Sequence, residues 1–117
     1  MNIGKVQEYK VEIGDKEEAL TFRFDFEAIV KFEERYDNSL EIINKYLNRE
    51  KQYTNLIKIL SCCCVEKDFT EDELKKTISF DFQTMKLFDG IGYRMLMGSL
   101  DLGEKDNSKK TGKSKKN

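Results

Sequence analysis

The chain contains no histidine, no proline and no tryptophan. Without histidine it lacks both the commonest general base at neutral pH and the commonest metal ligand. The absence of proline leaves glycine, asparagine and polar runs to mark the breaks between elements. No glycine-rich phosphate loop, G-x-S-x-G, paired C-x-x-C or H-E-x-x-H string is present, so the usual catalytic and metal signatures are missing. The reading is a protein that is not an enzyme, with no catalytic residue, no metal and no cofactor. No run approaches the roughly 20 apolar residues needed to cross a bilayer, and MNIGKVQEYK has no apolar core of a signal peptide. A cytoplasmic protein with no membrane partner is expected.

Cysteine is scarce and oddly placed. All three, Cys62, Cys63 and Cys64, are consecutive, which is not the spacing of a disulfide framework. Successive helical side chains point about 100° apart and cannot converge on one ion. Small, reduced, buried packing residues are the better account.

What is present is charge, 37% of 117 residues, almost balanced at 21 basic against 22 acidic side chains. A length of this order suits one domain. The balance is uneven along the chain, because residues 104–117 hold six lysines against two acids and no large apolar side chain. Such a tail is expected to be disordered when free. The division is therefore residues 1–103 as a single α+β domain and 104–117 as a basic tail. Lacking interleaved aromatics or arginine, the tail reads as solubilising, and nucleic acid is not an expected partner.

Between these limits the pattern is regular. Tyr9, Val11 and Ile13 alternate with charged residues, Gly14-Asp15-Lys16 offers a turn, and Leu20, Phe22 and Phe24 alternate again, so an antiparallel hairpin is predicted. Two strands alone are marginal, so helices must cover them, or another copy must extend the sheet. From Phe26 the period becomes helical, with Asp25 as cap. Phe26, Ile29, Val30, Phe32 and Tyr36 are placed on one face, and Glu27, Lys31, Glu34 and Arg35 on the other. Glu33 then falls in the apolar face and is read as a buried structural acid with a basic or helix-terminal partner. Asn38, able to adopt the left-handed conformation, is read as ending this helix.

Ser39 is placed at the start of a short helix to Leu47, with Leu40, Ile43 and Leu47 on one side. Thr54 is the next candidate cap, of an apolar helix running through the cysteines to Val65. Thr70-x-x-Glu73 is a capping box, with Phe69 and Leu74 as its staple. A last helix spans about residues 81–100, apolar nearly all the way round. Gly90 and Gly92 within it predict a kink or a close crossing. The fold class is thus α+β, an N-terminal antiparallel β-hairpin packed on a bundle of four to five α-helices, with a disordered Lys-rich C-terminal tail. The apolar excess of the last helix places a partner face around Met85, Phe88, Tyr93, Leu96 and Met97.

Residues 20–47 also carry a resemblance. Aromatic strand residues Phe22 and Phe24, a helix bearing Glu33, the break Asp37-Asn38 and the short helix from Ser39 to Leu47 resemble the tail assembly chaperones of long-tailed, siphovirus-type bacteriophages and prophages. The family break tends to be polar or to hold glycine, and here it holds none. The likeness runs more loosely to about Leu100. It implies a small non-enzymatic protein of the bacterial host cytoplasm that binds the aggregation-prone tape measure protein, or another phage tail protein, during tail assembly. It also implies a longer frameshifted form, for which Lys109-Lys110 or Lys115-Lys116 would be the encoding site if their codons form an A-rich run. Two other readings stay open: a structural tail component of the virion, assembling through the hairpin edge or the last helix, and a small regulator that associates with nucleic acid through the tail.

Overall fold

The computed structural model describes residues 6–13, 18–79 and 81–100. Strand β1, Tyr9–Ile13, pairs antiparallel with β2, Glu18–Phe22, with Tyr9 opposite Phe22 and Val11 opposite Leu20. The predicted alternation holds in β1, and Leu20, Phe22 and Ile13 are buried as expected, but Thr21 between Leu20 and Phe22 is buried as well. The Gly14-Asp15-Lys16 turn lies outside the described residues. Five helices follow: α1 Phe26–Arg35, α2 Ser39–Leu47, α3 Gln52–Ser61, α4 Glu71–Ile78 and α5 Phe82–Leu100. The α+β class read from the sequence is the one observed.

Helix α3 is the hub, packing on α2, α4 and α5. Its side chains are buried from Asn55 to Ile57 and again from Ile59 to Ser61, as its apolar sequence requires. The hairpin joins this bundle through Phe22, whose ring meets that of Phe88 of α5 edge-on at 5.5 Å, a geometry favoured by the aromatic quadrupole.

Local signals set most helix starts. The Asp25 carboxylate accepts from the Ala28 amide at 2.9 Å, and Asp81 accepts from Thr84 at 2.7 Å. Thr70 and Glu73 form the reciprocal capping box, and Phe69 and Leu74 are both buried beside it. Helix α3 departs from this rule. It is entered not at Thr54 but through Lys51, which takes φ 45° after Arg49 at φ 65°. Buried Asn55 holds that turn by donating to the Glu50 carbonyl at 3.0 Å.

Four other expectations are corrected. Glu33 is exposed, because α1 turns Ala28 and Phe32 inward and leaves Phe26 80% exposed. Residue 33 follows residue 26 by two turns and shares its solvent side. Lys31 and Arg35, read as outward, instead lay half-buried stems over the core. Both pair with Asp68, and Arg35 also donates to the Phe69 carbonyl. In α2 the buried pair is Ile42 and Tyr46, with Leu40 exposed. Asn38 has φ −102° and opens α2 rather than adopting the left-handed form.

Helix α3 stops at Ser61, so the cysteines leave it. Cys62 and Cys63 form a turn and Cys64 bridges Phe22. All three are buried, as expected, and burial pushes each thiol above its ordinary value.

This cysteine segment covers the free edge of β2. The Arg23 amide donates to Cys63 O and the Val65 amide to Thr21 O, at 3.0 and 2.8 Å. The Glu66 carboxylate accepts from the buried Thr21 amide and hydroxyl, both at 2.7 Å. Partial desolvation pushes the Glu66 carboxyl up, but the Thr21 hydrogen bonds outweigh it and leave the group below its ordinary value. A depressed folded-state pKa adds stability that is complete above the unfolded value, about 4.3 for glutamate, and is lost as pH falls through the folded value. Glu66→Gln should therefore lower the melting temperature at pH 7 and flatten its fall toward pH 3. Circular-dichroism melts across that range check this, and parallel curves for the two proteins would count against it.

Candidate partner-binding surface

Helix α5 carries apolar residues around most of its circumference, and the fold divides them. Phe88, Ile91, Met95 and Leu96 are buried, and at about 100° per residue they share one broad face. Phe88 and Leu96, expected in a partner face, are thus core residues. Met85 and Met97 are half-buried, while Tyr93 is 38% exposed, Leu87 54% and Phe82 68%. The outward face of α5 accordingly includes Phe82, Gln83, Lys86, Leu87, Gly90, Tyr93, Arg94 and Met97, which at about 100° per residue lie on the side away from the buried stripe.

The two glycines of α5 do different things. A methyl group on Gly92 would come within 2.6 Å of Leu56 Cδ1 and 3.1 Å of the Tyr46 hydroxyl, so this glycine permits the close crossing of α5 over α2 and α3. At Gly90 the same methyl would meet nothing nearer than the tip of Arg94, at 3.9 Å. Glycine in a helix interior costs about 1 kcal/mol relative to alanine. Packing accounts for that cost at Gly92 and does not at Gly90.

One side of the outward face is locked from within. The Tyr46 hydroxyl, on a fully buried ring, lies 2.8 Å from both the main-chain and a side-chain oxygen of Asp89. Burial, and then the Asp89 carboxylate, push the tyrosine far above its ordinary pKa, so it stays a donor. Arg49 pairs with Asp89 at 3.0 Å and covers the Tyr93 ring at 5.3 Å. Tyr93, one of the expected partner residues, is thereby held in place from its α2 side. Sequence reading missed this cluster because its members stand 40 and 43 residues apart.

Two of the hollows among the described residues differ in their lining. One, of about 390 Å³, is lined by Tyr53, Thr54, Ile57, Glu71, Lys75 and Met85, so Met85 contributes to a recess at the side of α5. The second, about 320 Å³, lies between α1 and the Cys62–Asp68 segment. Its charges are of both signs and several are paired, Arg23 with Asp25 and Lys31 with Asp68. Among the described residues no group of three or more acidic or cysteine side chains is arranged to hold a metal ion. No described helix is long and apolar enough to cross a membrane.

Phe82, Lys86, Leu87 and Arg94 were not among the residues expected at the site. No sequence signal separates them from the core residues, because Gly90 and Gly92 stand about 200° apart on the helix and only the packing of Gly92 against Leu56 and Tyr46 fixes the phase. No protein family, curated protein or solved structure matches the chain.

Proposed function

We propose that this protein is a tail assembly chaperone of the long-tailed bacteriophage type, which binds the tape measure protein and keeps it soluble while the tail is built. The likeness of residues 20–47 to that family supports the reading. The structural observation that carries it is the outward face of α5, where Phe82, Leu87 and Tyr93 remain exposed. Exposed apolar side chains grouped on one helix face suit an amphipathic segment of a client. The proposed mechanism is transient cover: client apolar surface is buried against α5 instead of against another client chain.

Co-expression with the long, helical tape measure protein of the same gene cluster tests this. The client should move into the soluble fraction and co-purify with this chain. A client that stays insoluble and unassociated, with the short or any frameshifted form, would sink the proposal.

A second reading, a structural tail component, is favoured by one observation: among the described residues β1 pairs only with β2. Its outer edge offers main-chain donors and acceptors to another strand. Mass spectrometry of purified mature particles separates the two, since a chaperone leaves before maturation and a structural subunit stays. The proposed site of action for either is the host cytoplasm.

A further inference from the structure

We infer that the outward face of α5 docks an acidic amphipathic helix, laid along α5 with its closest approach at Gly90. The inference deepens the chaperone reading and rests on it for the identity of the client. Three independent observations converge.

First, apolar side chains flank Gly90 on both sides. Exposed Phe82 and Tyr93, with half-buried Met97, lie along one side of the face and exposed Leu87 on the other, with Gly90 between them at helical spacing. A glycine flanked by bulky side chains leaves a trough into which a second helix can settle.

Second, Gly90 has no packing reason among the described residues. Of these, only Arg94 comes within 4 Å of where its side chain would start. Glycine is the poorest helix former after proline, and a partner helix drawn close at this point supplies the reason that internal packing does not.

Third, the charge of the face has one sign. Lys86 and Arg94 are exposed, and neither has an ion-pair partner among the described residues. The Lys86 ammonium lies over the Phe82 ring at 5.3 Å. The nearby carboxylates are already engaged, Asp89 with Arg49 and Tyr46, and Asp81 with the Thr84 amide. A partner carrying Asp or Glu beside its apolar stripe completes this face. One carrying Lys or Arg is repelled by it.

The test uses the full chain and two synthetic peptides of about 18 residues, long enough to form helix on binding. Both have leucine at helical spacing; glutamate fills the other positions in one and lysine in the other. The acidic peptide should bind roughly tenfold or more tighter by fluorescence anisotropy, and Lys86→Glu combined with Arg94→Glu should reverse the preference. Gly90→Leu should weaken the acidic peptide by about tenfold, while its melting temperature stays at or above that of the parent chain. Amide shifts in NMR spectra should cluster between residues 82 and 97.

Equal affinity for the two peptides, indifference to Gly90→Leu, or shifts centred on β1 would overturn the assignment. So would concentration-dependent self-association lost on charge reversal, which would make a second copy the occupant. The client experiment keeps the two readings apart. A tape measure protein solubilised equally well by the Gly90→Leu and charge-reversed chains removes this surface and leaves the chaperone reading intact. Acidic-peptide binding that follows the variants, without any tail protein as client, supports the surface and removes the chaperone reading.

Discussion

Leu96→Glu should unfold the protein or lower its stability by at least ~3 kcal/mol, whereas Leu87→Glu should change stability by no more than ~0.5 kcal/mol. The two leucines stand nine positions apart on α5, and the fold gives them opposite fates. Leu96 is 1% exposed and lies in the buried stripe with Phe88, Ile91 and Met95. A carboxylate there would be desolvated among apolar neighbours. Leu87 projects into water, so glutamate at that position changes only the surface. Domains of this size are held by about 5–15 kcal/mol, so the first substitution removes much of the margin. The same pair tests function: Leu87→Glu should keep a cooperative thermal transition and lose client binding. Equal melting temperatures for the two variants would contradict the division of α5 into core and outward stripes. Retained client capture by Leu87→Glu would contradict the binding face.

Gly92→Leu is expected to cost about 3 kcal/mol, at the upper end of overpacking penalties, while Gly90→Ala is expected to be neutral or to stabilise by up to ~1 kcal/mol. The reason lies in what surrounds each missing side chain. Even a methyl group on Gly92 would intrude on Leu56 Cδ1 at 2.6 Å. Leu56 is fully buried, and the Tyr46 hydroxyl at 3.1 Å is tied to Asp89. Neither neighbour can retreat without opening a void or breaking that hydrogen bond, so a leucine would push α5 off α2 and α3. At Gly90 a methyl group would make only ordinary contact with the tip of Arg94, at 3.9 Å, so alanine there gains helix propensity at no steric cost. Thermal and denaturant unfolding of the two variants give the comparison. A Gly92→Leu chain as stable as the parent would mean that the α5 crossing is looser than described.

Much of the frame was legible beforehand because its signals are local. The period-two alternation of Tyr9, Val11 and Ile13 against Leu20 and Phe22 predicted the hairpin faces. Asp25 and the Thr70–Glu73 box predicted two helix starts, since a cap is made by atoms within a turn of each other. The candidate surface was only partly legible. Tyr93 and Met97 reach the outward side, Met85 a neighbouring recess, and Phe88 and Leu96 the core. A helix that is apolar on every side offers no phase, so periodicity cannot say which stripe its neighbours will cover. Glu33 failed for a related reason: counting Phe26 as core rotated the assumed face of α1 and carried the glutamate inward with it.

The sequence alone determined the class, the order of elements, and most of their ends, because chain neighbours decide turn, cap and period. Tertiary structure decided which faces are inside. It took Cys62, Cys63 and Cys64 out of α3, since the exposed edge of β2 needed main-chain partners and the 63–65 segment supplied them. It also joined Tyr46 of α2 and Arg49 of the turn after it to Asp89 and Tyr93 of α5. Those contacts depend on how helices distant in the chain cross, at Gly92 above all, and that crossing is set by packing against partners that no local pattern names.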